Sequence, residues 1–415
     1  MTAHRHSSET LHQPGCGPRQ IIHVPCDGMR DRDLRRAITL GRAVTQSVDQ
    51  PAAKPRVWLF DEISAIQGWT SVLKAARDGT EFGDDTVVAT GSHWATSEDV
   101  QGNLLAGRAG STNAHRIRQL LPMTFRDYLQ ATRPDLPVPG SVHPAMLQND
   151  DARQNLARVE FSIDYHDLAW QDFLTCGGFP RAVYEHHSTG AVSTAYARDL
   201  MARLRTDVDQ DAPAESVPRL LAELASRMTS PLNLTATSQV LGYSNRPVFE
   251  RRIDRLINSH AAFRCFQRDD SGRAVVGAQH KLYLTDPLLA WTPSLVSPGL
   301  RVPDLTALSE AALAVALARA IDDLDEGRWI GDDTIGYART GSGNEVDLGR
   351  VRVPTTSGHS MTVPIESKWV DVGWRAEAKT IEGKYAQGIV ATKSILDFDH
   401  PAWAVPAPLV ALLLG

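Results

Sequence analysis

The 415-residue sequence has no long apolar run. The nearest to one, AWAVPAPLVALLLG at 402–415, is shorter than a bilayer span and holds two prolines, so it reads as a terminal strand or core segment. The first residues contain no apolar h-region, which argues against a secretory signal. Cysteine is scarce. Cys16, Cys26, Cys176 and Cys265 stand far apart, fit no metal-ligand spacing, and read as the reduced thiols of a cytoplasmic protein. None of the 14 histidines is spaced beside a glutamate as a zinc site requires. No Ser/His/Asp or Cys/His hydrolase signature occurs, and no internal repeat is present. An excess of positive charge is also missing. The net charge of −6 excludes a chain that coats nucleic acid along its length, while leaving room for a local basic face.

What is present is ordinary soluble composition over a length suited to two or three domains. The most informative stretch is VWLFDEIS, Val57 to Ser64. Four apolar residues suit a buried parallel strand, and the run ends on Asp61 and Glu62. Ligands of open α/β sheets bind just outside the carboxyl ends of the strands. In this Walker B layout Asp61 would hold a nucleotide-bound Mg²⁺ and Glu62 would polarise the attacking water. A core strand ending in two solvated acids is the plain alternative. A second apolar run, Thr86 to Ala89, leads into Thr90-Gly91-Ser92, where Thr90 or Ser92 could sit near a γ-phosphate.

Further on come LAGR, ending at Arg108, and LPMTFRDYL, ending at Leu129. The order DE, TGS, LAGR, LPMTFRDYL resembles one bacterial and archaeal branch of the AAA+ ATPases, which carries a C-terminal extension of unknown function. The resemblance covers roughly residues 20–130. It implies ATP and Mg²⁺ as cofactors, self-association, and Arg108 as the arginine that neutralises transition-state charge. One part is missing. The phosphate-cradling GxxxxGK[ST] should precede the strand Ile21 to Val24, yet residues 1–20 offer only Gly15-Cys16-Gly17 with no following lysine. Either an upstream strand and helix are lacking or the site has decayed, and the first is favoured because Asp61, Glu62 and Arg108 remain. The chain as written should bind ATP poorly, with a gap in its sheet where the central strand would sit.

The middle of the chain reads as helical, with a Gly177-Gly178-Phe179-Pro180 turn that resembles the family's extension. Thr235 to Leu241, a turn at 242–244, and Arg246 to Ser259 form a helix-turn-helix. With the strands Phe263 to Phe266 and Leu282 to Leu284 after it, the pattern is that of a winged helix. Phe249, Ile253, Leu256 and Ile257 form the core stripe. Arg246, Arg251, Arg252 and Arg255 lie off it and are candidates for DNA contact. The same motif also serves for packing or protein contacts.

In the last third, Glu345-Val346-Asp347 is followed one strand later by Ile365-Glu366-Ser367-Lys368. An acid, then an acid with a lysine two residues on, is the pattern of PD-(D/E)xK nucleases. Asp347 and Glu366 would hold Mg²⁺, Lys368 would steady the attacking water, and Glu310 on the preceding helix would add a further acid. Val346 stands where the usual proline would be. Paired surface charges at a sheet end are the alternative.

The expected fold is α/β. It comprises a tail at 1–19, a P-loop (AAA+-like) parallel sheet lacking its phosphate loop at 20–132, and a linker at 133–144. A helical region at 145–230, a winged helix at 231–300 and a restriction-endonuclease-like α/β domain at 301–415 follow. The expected role is ATP-linked action on DNA, with a Mg²⁺-dependent nuclease or a non-catalytic DNA-binding regulator as alternatives and no membrane partner.

Overall fold

A computed structural model describes residues 18–45, 55–92, 119–209, 213–243, 245–324 and 334–415. The chain divides into two compact units, 1–113 and 114–415. Arg108 and most of the expected tail lie outside the described residues.

In the first unit β1 (Ile21–Pro25), β2 (Val57–Asp61) and β3 (Thr86–Ala89) form a parallel sheet in the order β1-β2-β3. The register places Pro25 beside Asp61 and Phe60 beside Ala89, so the three strands end on the same side. Helix α1 (Asp31–Thr45) starts with Asp31 and Asp33, acids that suit the positive end of a helix, and it buries Leu34 and Ile38. Helix α2 (Trp69–Asp78) buries Val72, Leu73 and Ala76. The core between them holds Trp58 stacked on Phe60, with Phe82 edge-on to both rings. Strand β3 is an edge strand among the described residues. Thr86, Val88 and Ala89 are exposed, which is unusual for a parallel sheet.

The second unit opens with α3 (Phe125–Thr132), whose start is fixed by a reciprocal capping box between Thr124 and Asp127. The sequence assigns this segment to the first domain; in the structure it packs on helices of the second unit. The proline-rich stretch at 133–144 is likewise tied down. His166 reaches the Pro137 carbonyl, Val142 donates to the Leu413 carbonyl, and His143 meets the Pro354 carbonyl.

Helices α4 (Asp150–Ala157), α5 (Ile163–Cys176), α6 (Pro180–Thr189), α7 (Thr194–Asp209) and α8 (Ser216–Ala225) build the helical part. Between α5 and α6, Gly177 adopts a φ of 70°, and a Cβ there would lie 2.0 Å from Asp286 Oδ1. Only glycine permits that approach, which lets Asp286 accept the Gly178 N–H at 2.7 Å.

Short helix α9 (Leu234–Val240) and longer α10 (Arg246–Asn258) precede the antiparallel pair β4 (Ala262–Arg268) and β5 (His280–Leu284). Helix α11 (Pro287–Val296) is capped by Asp286. Helix α12 (Leu305–Leu324) is apolar on nearly all sides because it is surrounded by core. Strand β4 also pairs in parallel with β6 (Gly336–Arg339), which pairs with β7 (Glu345–Val346). The resulting sheet β5-β4-β6-β7 therefore crosses the boundary that the sequence places at 300.

Strands β8 (Arg352–Thr355) and β9 (Gly358–Met361) form a separate hairpin. Strand β10 (Ile365–Ser367) joins a parallel sheet with β11 (Gly388–Thr392) and β12 (Ala402–Pro406). Helix α13 (Trp374–Tyr385) leads from β10 to β11, and the chain finishes in the buried helix α14 (Ala407–Leu414). No helix of the described residues is long and apolar enough to cross a membrane. Among the described residues Cys26, Cys176 and Cys265 are free and buried. Burial pushes their thiols up to about 11, 12 and 12, which favours the protonated form.

Candidate functional sites in the two units

Asp61 is the last residue of β2 and Glu62 follows it, so both acids stand at the carboxyl end of the parallel sheet. The turn beyond β3 organises them. Thr90 donates its hydroxyl proton to Asp61 Oδ1 at 2.9 Å. Ser92 donates to Glu62 Oε1 from its hydroxyl at 2.6 Å and from its N–H at 3.0 Å, and the Ser64 hydroxyl adds a contact at 3.3 Å. Glu62 itself takes a left-handed backbone conformation with φ of 55°, which a residue with a side chain adopts only under constraint. His23 Nε2 lies 3.8 Å from Asp61 Oδ2. Asp61, Glu62, Thr90 and Ser92, chosen from sequence, thus come together in one small polar cluster. An aspartate with a partly accessible carboxylate at this place has the hard oxygen donors that Mg²⁺ favours.

In the second unit a main-chain bridge between Leu348 and Ile365 sets β7 against β10. It brings Asp347 to Glu366: Asp347 N–H donates to Glu366 Oε2 at 3.1 Å, and Ser367 N–H donates to Asp347 Oδ2 at 3.0 Å. Glu310 projects from α12 and accepts from the Tyr283 hydroxyl at 2.7 Å. Glu310, Asp347 and Glu366 are all buried. Burial, reinforced by Asp347, pushes Glu366 up to about 9 and raises Glu310 as well. Lys368 is turned outward to Glu377 at 3.4 Å.

The centre of this cluster is a residue that sequence reasoning missed. Lys281 of β5 is wholly buried, and its Nζ touches Glu310, Glu345 and Asp347. Burial opposes its charge, but the surrounding Tyr283, Asp347, Glu310 and Glu345 outweigh that and hold the lysine well above its ordinary value. The signal available in the sequence was a lone lysine inside the apolar strand HKLYL, where solvent exposure is not expected.

The four arginines of α10 differ in their surroundings. Arg252 pairs with Asp209 and lies over the Tyr243 ring at 4.6 Å. Arg255 donates to the Val208 carbonyl at 3.1 Å, and Arg246 pairs along the helix with Glu250 at 2.8 Å. Arg251 is exposed.

Residues 3–129 match the family model described as an AAA domain, and residues 168–296 match the one described as a domain of unknown function (DUF8612). No curated protein and no solved structure matches the chain. The chain therefore carries an AAA-type, P-loop-NTPase-like domain at its start, within a mixed α/β protein. Such a domain is compatible with ATP and Mg²⁺.

Proposed function

We propose that this chain is an AAA-type ATPase homologue in which Asp61 and Glu62 take the Walker B roles. The observation that carries the reading is the clustering of Asp61 with Thr90 and of Glu62 with Ser92 at the carboxyl end of β1-β2-β3. Asp61 would hold the Mg²⁺ of a bound nucleotide, and that metal would neutralise phosphate charge. Glu62 would orient the attacking water, and its hydrogen bonds to Ser92 and Ser64 keep its carboxylate from swinging freely. Among the described residues β3 is an edge strand, and a strand carrying GxxxxGK[ST], a motif the sequence does not contain, would pair there. Arg108 supplies positive charge to the γ-phosphate in this reading, from a part of the chain outside the described residues.

The test is supplementation. The chain, fused behind a strand–GxxxxGK[ST]–helix segment, is titrated with Mg·ATP by calorimetry. Saturable binding that Asp61→Asn abolishes, with hydrolysis lost in Glu62→Gln, supports the proposal; a fused, folded chain that binds no nucleotide overturns it.

The second unit would couple this site to DNA. A helix-turn-helix followed by an antiparallel pair, with Arg251 and Arg246 exposed on α10, supports that role. The alternative of a Mg²⁺-dependent nuclease at Asp347, Glu366 and Lys368 has a specific observation against it. A buried ammonium already fills the space between Glu310 and Asp347, and Lys368 is engaged with Glu377. As they stand, these residues do not fit a divalent metal.

A further inference from the structure

The ammonium of Lys281 lies 2.9 Å from Glu310 Oε1, 2.7 Å from Glu345 Oε1 and 2.8 Å from Asp347 Oδ1, with its side chain fully enclosed. A lysine head carries three protons and accepts none. Here the nitrogen donates to Glu310 and Asp347 and is ion-paired with Glu345, so three carboxylates surround one ammonium. The fixation comes from three separate segments: Lys281 from β5, Glu310 from α12, and Glu345 and Asp347 from β7 and the residue after it.

Two more contacts close the cluster. Glu366 Oε2 is taken by the Asp347 N–H, and Asp347 Oδ2 by the Ser367 N–H. One oxygen each of Glu366 and Asp347 is thus tied to the main chain of the neighbouring strand. Mg²⁺ demands near-octahedral oxygen ligation at about 2.0–2.1 Å. A dication bridging Glu310 and Asp347 would press against the Lys281 nitrogen, placing like charges in contact where no water screens them.

We infer that Lys281 is the resident cation of this nuclease-like cluster, standing where a divalent metal would otherwise sit, so that the intact protein takes up neither Mg²⁺ nor Mn²⁺ there. Glu310, Asp347 and Glu366 then serve to lock β5, α12, β7 and β10 together, and the second unit is a scaffold rather than a phosphodiesterase. The inference concerns residues of the second unit only and stands apart from the nucleotide reading of the first.

Manganese binding to the full chain tests it, with free Mn²⁺ counted by electron paramagnetic resonance and heat by calorimetry. The wild-type protein is expected to show no Mn²⁺ uptake that Asp347→Ala removes. Lys281→Ala is expected to gain about one Mn²⁺ per chain, lost again in Lys281→Ala/Asp347→Ala, and its lowered melting temperature should recover with Mn²⁺ but not with Na⁺ at matched ionic strength. Wild-type uptake that disappears in Asp347→Ala overturns the inference, as does a folded Lys281→Ala that gains none. If Lys281→Ala does not fold, the wild-type comparison alone decides: Asp347-independent or absent uptake supports the resident lysine, and Asp347-dependent uptake refutes it.

Discussion

Asp85 clasps Arg56 from two sides, accepting the Arg56 N–H at 2.8 Å and its guanidinium Nε–H at 2.7 Å. The same carboxylate accepts the Trp58 indole N–H at 2.8 Å. One buried acid before β3 therefore fixes the amino end of β2 and the largest ring of the core. Asp85→Ala leaves a buried guanidinium and an indole N–H without their partner. The expected cost is about 3–5 kcal/mol, read as lost amide hydrogen-exchange protection in β1 and β2.

Gly91 is held to its residue type by space. A Cβ built there would lie 2.5 Å from Ser64 Oγ and 2.6 Å from Ser64 Cβ. Gly91→Ala should destabilise by about 1–3 kcal/mol through overpacking. Ser64→Gly should relieve most of that in the double variant. A thermal melt of the four proteins in the cycle gives the coupling directly.

Asp286 gives a pH dependence whose sign follows from its burial. Its carboxyl is pushed up to about 6, from an ordinary 3.8, by loss of solvent, against the opposing N–H donors of Gly178 and Leu288. A folded-state value above the unfolded one means that its contribution is fully present below about pH 4 and is lost as pH rises through about 6. The shift corresponds to about 3 kcal/mol at 1.36 kcal/mol per unit. Asp286→Asn removes this titration but strands one of the two N–H groups. The stability advantage of wild type over the variant should therefore shrink by about that amount between pH 4 and pH 7, as measured by chemical denaturation.

The arginines of α10 should separate by variant. Arg252 is bonded to Asp209 and stacked on Tyr243, so Arg252→Ala should lower the melting temperature. Arg251 is exposed, and Arg251→Ala should leave the melting temperature unchanged. If α10 faces DNA, Arg251→Ala weakens duplex binding about equally across sequences and reduces the slope of log affinity against log salt by about one. Fluorescence anisotropy over a salt series reads both; unchanged affinity and slope would remove α10 from the DNA surface.

Much of the secondary structure was legible because local pattern and final burial agree. Val57 to Phe60 reads as a buried parallel strand, and β2 runs from Val57 to Asp61. The helix expected at Leu305 to Leu324 has those ends. The hairpin β8–β9 was not expected, since the alternation of Arg350 to Val353 is cut short at Pro354 and GHSM carries no apolar alternation. The segment at 402–415 is apolar throughout, so its change from strand to helix at Ala407 could not be read from periodicity. Lys281 escaped notice for a different reason. Its partners Glu310, Glu345 and Asp347 are 29 to 66 positions away, and nothing local distinguishes a lysine that will be enclosed by acids from one that reaches water.

Helix α14 has a consequence for how the second unit comes to be made. Its eight residues are all buried, and Arg126, at the start of α3, holds the carbonyls of Leu412 and Gly415 across nearly 290 positions of chain. A polypeptide folding from its amino end would keep α3 and its neighbours waiting, with a vacant greasy slot, until α14 arrives. The long sequence separation of these partners should make refolding slow, and trimming α14 should leave that slot exposed and send the protein to inclusion bodies rather than merely soften it.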